Sequence, residues 1–491
     1  MNTTSTTKES PKISAPETLP GDTSAITQMS KAEIEITNRR YQSDPFWGGP
    51  KGIEYGLLVG ALPIQQPPLY PDRGSSYFVG NFRLPKGSKL MIQGEYGHMR
   101  YFSFTVAVQL GQGQIGGGDF IRDNEIDPDP GSVNPFRPGH ERDATPRSYT
   151  VYVHQGQRPE AERTAKPGER RATHNTLYTG SDSYEARIHL ALRNYISDAG
   201  YDGTGNVELH AQGYGLPKVT LILADGTTLT GEKMAELVQA SKAAEVAGYT
   251  REQWLGLVEN SWDPINAPAV SAPAFQRFWN VDYNVTGGFI TDPVERVLLH
   301  PPNDSGGFAN NPDTVYLSAP FSLAFGEVVV IRAKMPSFPK TRHREQTLAH
   351  DTQVRYWSFT TGAAPPSGVG WMSVFDEQVP VDEKGYFTIV MSWPENRPKN
   401  AIRACGVKWI DFGGGEGHYV GARAWVNIVY LRYMHSLSGE AWPQSPANIP
   451  QPTKDKPAPL DAVVMEDYYP RARYTSKANF EKFGPQMPEL P

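Results

Sequence analysis

The chain has 491 residues, so two or three domains are expected, each large enough for its own hydrophobic core. It contains 24 Tyr, 20 Phe and 10 Trp together with 47 Gly and 43 Pro, a composition typical of turn-rich β structure. The formal net charge is −6 and no long run of Lys or Arg occurs. This argues against nucleic acid as a partner, because neutralising phosphates requires clustered cations.

The sequence also predicts the compartment. Residues 1–30 are rich in Thr, Ser, Pro and Lys and lack the apolar segment of a signal peptide. The longest apolar run, residues 57–62, is far shorter than the roughly 20 residues that span a bilayer. Cys405 is the single cysteine, so no intramolecular disulfide can form. We therefore expect a soluble cytoplasmic protein without a membrane span, or a periplasmic one if an N-terminal signal was removed.

The chain divides into five segments. Residues 1–30 are polar and are predicted to be disordered. Strand patterns over residues 31–225 predict a first β-sandwich domain, and helical spacing over residues 226–273 predicts a helical connector. A second series of strand patterns predicts another β-sandwich domain at residues 274–440. The Pro-rich residues 441–491 contain aromatic side chains and are interpreted as a C-terminal arm that docks through them.

The sequence favours chemistry without a cofactor. Residues 111–116 match the pattern G-x-G-x-x-G, but the glycines and the Pro-rich turn that follow exclude the helix that a dinucleotide site requires. A flexible hairpin or loop is predicted there instead. No zinc-ligand spacing, P-loop or G-x-S-x-G motif occurs. We therefore expect no cofactor and no bound metal.

The strongest pattern is an internal repeat. The motif RYFSF at residues 100–104 recurs as RYWSF at residues 355–359. In each copy a later strand ends in Leu-Arg, at Arg193 and at Arg432. A tyrosine also precedes each motif and an acidic segment follows it. Several elements in one order predict a duplication, with a β-sandwich or jelly roll in each copy.

The second copy carries a resemblance to known families. Residues 311–319 read NPDTVYLSA and resemble the motif N-x-D-T-x-Y-x-S of domain-of-unknown-function family 1254. The RYWSF strand and the Leu-Arg-Tyr at residues 431–433 resemble its companion family 1214. The resemblance implies β-sandwich domains of bacterial origin and leaves the activity open. The first copy departs from the motif, because residues 72–77 lack the Asp-Thr pair.

Three residues are candidates for proton transfer. Asp313 stands in the motif directly before a predicted strand, where a carboxylate can act as a general base or can form an Asx-turn. His435 follows the strand that contains Arg432, and His418 lies in a glycine-rich loop. An imidazole changes its charge near neutral pH, which suits both histidines to acid–base chemistry.

Four residues of the second copy are candidates for substrate binding. Arg355 and Arg432 occupy matched places in the repeat, where a guanidinium could hold a substrate carboxylate. The alternative is a buried arginine paired with loop carbonyls or an acidic residue. Tyr356 and Ser358 share the strand face opposite the aromatic residues that are predicted to enter the core, so they could line a pocket with Thr360. Tyr316, in the NPDTVYLSA motif, is the fourth candidate for this pocket.

Two functions remain open. The first is a cofactor-independent hydrolase or lyase that acts on a small organic acid or aromatic compound in a β-sandwich pocket. The second is non-catalytic binding of a carbohydrate or another small ligand. A cavity with converging Asp, His and Arg would favour the enzyme, whereas a shallow groove with exposed aromatic rings would favour the binding protein. The expected partner is a small molecule in either case, and assembly into a homo-oligomer is left open.

Overall fold

The computed structural model of the chain covers most of the two predicted β domains and the C-terminal arm. The predicted disordered segment, residues 1–30, lies outside the described residues, as do His418 and most of the predicted connector between residues 241 and 270. The described residues are 44–51, 70, 72, 74–111, 114–160, 175–206, 208, 215–240, 256, 271–290, 292–304, 311–343, 348, 351–364, 370–413, 423 and 426–486.

The first domain is a sandwich of two sheets. One sheet has the order β1-β2-β8-β4-β5 and the other has the order β10-β9-β3-β6-β7. Between them lies an apolar core that includes Phe78, Phe102 and Phe104. The strands are β1 (Gly48–Lys51), β2 (Ser75–Phe82), β3 (Lys89–Glu95), β4 (Met99–Gly111), β5 (Gln114–Arg122), β6 (Ser148–His154), β7 (Thr176–Tyr178), β8 (Ile188–Ser197), β9 (Lys218–Ile222) and β10 (Thr228–Thr230).

The second domain is also a sandwich of two sheets. Its sheets have the orders β11-β12-β18-β14-β15 and β17-β16-β13-β19. Trp357, Phe359 and Leu431 belong to the core between them. The strands are β11 (Gln276–Arg277), β12 (Thr314–Phe321), β13 (Val328–Lys334), β14 (Val354–Ala363), β15 (Gly370–Phe375), β16 (Tyr386–Ser392), β17 (Lys408–Asp411), β18 (Asn427–His435) and β19 (Arg471–Thr475). The predicted mainly β, sandwich fold is thus confirmed.

The two sandwiches share one topology. Strands β2 to β9 of the first correspond one for one to strands β12 to β19 of the second, both in sheet order and in connection. In each, one pair is parallel, β6 with β7 and β16 with β17, within otherwise antiparallel sheets. This agreement is what a duplication predicts; descent of both halves from one ancestral sandwich stays a prediction.

Four short α-helices accompany the strands in the described part of the chain. They are α1 (Gly231–Leu237), α2 (Pro293–Leu299), α3 (Asp461–Met465) and α4 (Lys477–Phe483). Helix α1 lies within the predicted connector and packs Met234 into the first core, which also contains Val238, the residue directly after the helix. Among the residues that the structure describes, no helix combines the length and the apolar character required to cross a bilayer.

The C-terminal arm is part of the second sandwich. Strand β19 pairs antiparallel with β13, so the sandwich extends beyond residue 440, where the sequence placed its end. The Tyr469 hydroxyl donates to the Phe275 carbonyl oxygen at 3.0 Å, and Phe480 of α4 is completely buried. The Asp461 carboxylate accepts a 2.6 Å hydrogen bond from the Arg277 amide of β11. The arm therefore contacts the second sandwich through aromatic side chains and also adds a strand to it.

The five-stranded sheets that contain β4 and β14, which we call the interface sheets, face each other. All residues of β14 are buried, whereas β6 in an outer sheet alternates between buried and partly exposed residues. One face of each interface sheet contributes aromatic and aliphatic side chains to its own core. The other face contributes Tyr, Ser, Thr and Arg to a shared interdomain layer. Rings from both domains meet there, with Tyr195 and Tyr356 centroids 5.1 Å apart.

The contact between the arm and β11 predicts a pH-dependent stability. Burial raises the pKa of the Asp461 carboxyl to about 6, although the bond from the Arg277 amide opposes the shift. In the unfolded chain the pKa returns to its ordinary value of 3.8, so the native state binds more protons between these two values. Protonated Asp461 therefore stabilises the fold at low pH. As the pH rises from about 4 to about 6, this contribution is lost and the free energy of unfolding falls by about 3 kcal/mol.

The variant Asp461→Asn keeps an acceptor for the Arg277 amide and does not titrate. Its free energy of unfolding, relative to that of the natural chain, is expected to rise by about 3 kcal/mol between pH 4 and pH 7 in urea titrations. Asp455→Asn, on an exposed turn, is the matched control. A relative stability of Asp461→Asn that stays flat across this pH range would contradict the prediction.

Candidate functional site

Two arginines at equivalent positions of the repeat connect the sandwiches. Arg355 Nη1 and Nη2 donate to the two carboxylate oxygens of Asp123 at 2.8 and 2.7 Å, and its Nε donates to the Arg100 carbonyl oxygen at 3.0 Å. In the opposite direction, Arg100 Nη1 donates to Asp376 at 2.7 Å and its Nη2 pairs with Glu377. The side chains of Arg100 and Arg355 are 0% and 4% exposed. We call Arg100, Asp123, Arg355 and Asp376 the arginine latch.

Each carboxylate of the latch also binds a strand of its own domain. Asp123 accepts a hydrogen bond from the Phe102 amide at 2.9 Å, and Asp376 accepts one from the Trp357 amide at 3.0 Å. Arg355, predicted to bind substrate, is thus placed on a protein carboxylate and a carbonyl. This is the alternative that the sequence left open for it, and its use in substrate binding stays an untested prediction.

Asp313 lies in a buried cluster built from both domains. It precedes β12, and its amide donates to Asn311 Oδ1 at 3.1 Å in an Asx-type turn. Its carboxylate, 4% exposed, accepts a hydrogen bond from the Tyr101 hydroxyl and lies 3.0 Å from Arg122 Nη2. Tyr101 and Arg122 belong to the interface sheet of the first domain. Asp313, Tyr101, Arg122 and His435 form what we call the Asp313 cluster.

The cluster is surrounded by buried polar atoms that lack a hydrogen-bond partner. Within the part of the chain that the structure describes, Asn311 Nδ2, Arg122 Nε and the hydroxyl of Thr314 make no hydrogen bond. Arg122 Nε also lies 3.5 Å from the Glu125 carboxylate, so the guanidinium of Arg122 faces two carboxylates.

His435 adds an imidazole to the same cluster. It is the last residue of β18, and its amide donates to the Asp313 carbonyl oxygen at 2.9 Å. Burial lowers the pKa of the imidazole, the Asp313 carboxylate raises it and the Arg122 guanidinium lowers it again; the net shift is downward. The imidazole is therefore neutral at neutral pH and can accept a proton.

Asp72 of the first domain is a second buried carboxylate, at the position equivalent to Asp313 of the second domain. Asp72 is completely buried and accepts hydrogen bonds from the Tyr356 hydroxyl at 2.6 Å, the Ser373 hydroxyl at 3.1 Å and the Ser358 hydroxyl. Tyr356 is the repeat partner of Tyr101, so each domain donates a tyrosine hydroxyl to a carboxylate of the other. Asp72 differs from Asp313 because its carboxylate accepts hydrogen bonds from three hydroxyl groups.

Tyr316 and Arg432 connect the two carboxylate clusters. The Tyr316 hydroxyl accepts a 3.1 Å hydrogen bond from the Asn311 amide, and the Arg432 guanidinium lies 5.7 Å from the centroid of the Tyr316 ring. Arg432 donates to Thr360 and to the Tyr70 carbonyl oxygen, and its Nη1 lies 3.7 Å from the Asp72 carboxylate. Burial raises the pKa of Tyr316 and the nearby Arg432 opposes this, so the phenol stays neutral.

The structure therefore gathers five of the seven predicted site residues in or beside one interdomain layer: Asp313, His435, Tyr316, Tyr356 and Arg432. Arg355 lies in the latch at its edge, and the position of His418 is outside the described residues. Asp72 was not predicted as a site residue, because its segment lacks the Asp-Thr pair of the motif. Arg122 was not predicted either, because no motif includes it. Tyr101 was visible as the repeat partner of Tyr356 but was assigned only an architectural role.

No metal site accompanies the cluster in the described segments. Across them, no group of three His, Cys, Asp or Glu side chains is arranged to hold a metal ion. The thiol of Cys405 is exposed.

Comparisons with known proteins add no function. No protein-family model matches the chain, and no curated protein matches it. Among solved structures, an uncharacterised protein from Burkholderia cenocepacia aligns with 94% of this chain and 98% of its own, at 12% identity and a TM-score of 0.41. A protein from Vibrio parahaemolyticus aligns with 90% of this chain and 100% of its own, at 11% identity and a TM-score of 0.35.

The arginine latch predicts a large stability effect. Arg355→Gln leaves Asp123 buried without its cation, so the free energy of unfolding in urea is expected to fall by about 3–5 kcal/mol. The matched control is Arg332→Gln, whose partner Asp382 is 35% exposed; its cost is expected to stay below about 1 kcal/mol. Equal costs for the two variants would show that leaving Asp123 without its cation carries no burial penalty.

The Asp313 cluster predicts the titration of His435. We expect its imidazole to titrate below 6.5 in NMR spectra of histidine-labelled protein, with the signal assigned through His435→Gln. Because the Asp313 carboxylate opposes the downward shift, Asp313→Asn should lower the pKa of His435 further. Asp382→Asn, on the turn before β16, is the control and should leave the pKa of His435 unchanged. An unchanged or higher pKa in Asp313→Asn would refute the proximity of the two side chains.

Proposed function

We propose that the protein is a cofactor-independent hydrolase or lyase that acts on a small organic acid at the Asp313 cluster. The observation that supports this is the convergence of a carboxylate, a neutral imidazole, a guanidinium and a phenol in one interdomain layer. A cavity with converging Asp, His and Arg was the feature expected of an enzyme, and the convergence is the part of that expectation on which the proposal rests. His435 is the partly exposed member of the cluster, and Tyr101, Arg122 and Asp313 are buried.

In the proposed mechanism His435 is the general base. Its neutral imidazole accepts a proton either from an attacking water or from a carbon next to the substrate carbonyl. Arg122 supplies positive charge for the oxyanion that develops as this proton leaves. Burial and then the Asp313 carboxylate raise the pKa of the Tyr101 hydroxyl well above its ordinary value. Tyr101 therefore stays protonated and keeps its hydrogen bond to Asp313, while the imidazolium formed on His435 returns the proton to the leaving group.

Arg432 is proposed to hold the substrate carboxylate. Its nearest carboxylate among the described residues, Asp72, is at 3.7 Å, which is longer than the bonds that satisfy Arg355 in the latch. Tyr316 lies between Arg432 and Asn311 and would position the substrate relative to Asp313. Arg355 has no role in this proposal, and His418 remains an alternative proton carrier.

Carbohydrate binding without catalysis has less support. Stacking on sugars requires neighbouring exposed aromatic rings. In the described part of the chain, the aromatic residues that are 40% exposed are Tyr184, Phe325 and Phe483, and they stand on three separate segments. They do not form the aromatic groove that this alternative predicts.

The test starts with ligands, because the substrate is unknown. A panel of small organic acids would be screened by thermal shift, and acids that stabilise the protein would be incubated with it and followed by mass spectrometry. We expect conversion of at least one acid, with a rate that falls as the pH drops through the pKa of His435, since protonation removes the base.

Variants then separate binding from chemistry. His435→Gln is expected to lower kcat by at least about 100-fold while the stabilising effect of the acid persists. Arg432→Gln should instead weaken binding. His140→Gln, on an exposed turn, is the control and should act like the natural protein. Acids that bind without conversion would favour the non-catalytic alternative, and full turnover by His435→Gln would refute the assignment of the base.

A further inference from the structure

A separate cavity lies beside the second sandwich, where β11 and the short helical segments after it approach the edge of the interface sheet. Its volume is about 230 Å³. None of the residues of the Asp313 cluster line it. It is lined by Ala272, Ala274, Gln276, Phe278, Asn284, Val285, Gly288, Arg296, Ser318, Ala319, Pro320, Ile428 and Tyr430.

Arg296 is the charged group of this cavity. It lies on α2, and its guanidinium stacks on the Tyr283 ring at 4.0 Å from the centroid. Its Nε and Nη2 donate to the Tyr283 carbonyl oxygen at 3.0 and 2.8 Å, and its Nη1 donates to Gln276 Oε1 at 3.0 Å. These bonds use three of the five N–H donors of the guanidinium, so two remain on a side chain whose position is already held.

No described residue neutralises Arg296 by direct contact. Every acceptor named above is a neutral oxygen, and no carboxylate in the described ranges lies within 4.0 Å of the guanidinium. Asp461 acts on it only from a greater distance, and burial lowers the pKa of Arg296. A partly buried cation with spare donors and no paired anion is suited to bind an anionic ligand.

The walls of the cavity define the rest of the ligand. Phe278, Ile428 and Tyr430 are 9%, 5% and 8% exposed, and the Phe278 and Tyr430 ring centroids lie 5.6 Å apart. Ser318, on the strand next to β11, adds a hydroxyl to the lining of the cavity. The cavity is smaller than the roughly 300–1,000 Å³ of drug-sized sites, which limits the ligand to about ten non-hydrogen atoms.

We propose that this cavity binds a small monocarboxylate with a flat apolar body, whose carboxylate pairs with Arg296 and whose body packs against Phe278, Ile428 and Tyr430. The paired donors of a guanidinium match the two oxygens of a carboxylate. The proposal goes beyond the function proposed for the Asp313 cluster and does not depend on it, because the two sites share no residue.

The test uses benzoate as the probe and isothermal titration calorimetry on the full chain. Benzoate is expected to bind in a saturable 1:1 manner, and benzamide, which has the same shape without the charge, at least about tenfold more weakly. Arg296→Gln should weaken benzoate binding by at least about tenfold. Arg423→Gln, which removes an exposed arginine paired with Glu395, is the matched control and should bind as the natural protein does.

Two further variants keep the outcome decisive. Ser318→Leu places a larger side chain in the cavity and should abolish benzoate binding even if Arg296→Gln fails to fold. Asp313→Asn should bind benzoate normally, which separates this site from the proposed active site. The proposal is overturned if benzoate does not saturate, if benzamide binds equally well, if Ser318→Leu or a folded Arg296→Gln binds like the natural chain, or if Asp313→Asn loses binding.

Discussion

The structure depends on reciprocal ion pairing between its two sandwiches. Arg355 reaches across to Asp123, while Arg100 reaches back to Asp376. Buried charges are costly to desolvate, so such pairs add little net stability but strongly penalise any arrangement that leaves one charge alone. The same two carboxylates accept strand amides within their own domains. Asp123 and Asp376, which directly follow the β4–β5 and β14–β15 hairpins, therefore also fix the position of one sandwich relative to the other.

This arrangement explains the composition of the interface sheets. Their central strands bury both faces, but the faces have different neighbours. Trp357 and Phe359 enter an apolar core, whereas Tyr356 and Ser358 enter a polar layer in which each hydroxyl finds a partner on the other domain. Buried polar groups require partners, and a second copy of the same sheet supplies them.

The two carboxylate clusters of this layer resemble each other but are not equivalent. Both accept a hydroxyl from the tyrosine that follows the latch arginine. Each carboxylate lies near a guanidinium, Asp72 near Arg432 and Asp313 near Arg122, but Asp72 also accepts serine hydroxyls whereas Asp313 has the imidazole of His435 nearby. A carboxylate saturated by hydroxyl groups has a structural role, whereas a carboxylate beside a neutral base can take part in chemistry. The proposed function rests on this difference.

Alternation and repetition in the sequence were sufficient to predict the mainly β fold, two sandwiches, the core positions of Trp357 and Phe359 and a candidate role for Asp313. These features depend on local strand periodicity and short motifs, which a sequence displays directly. Only the tertiary structure decided what the polar faces contact. Arg122 and Asp72 join the clusters through contacts between residues more than 190 positions apart, and β19 joins the second sandwich from the far end of the chain. Such pairings depend on how the two sheets stack, and no local pattern records that.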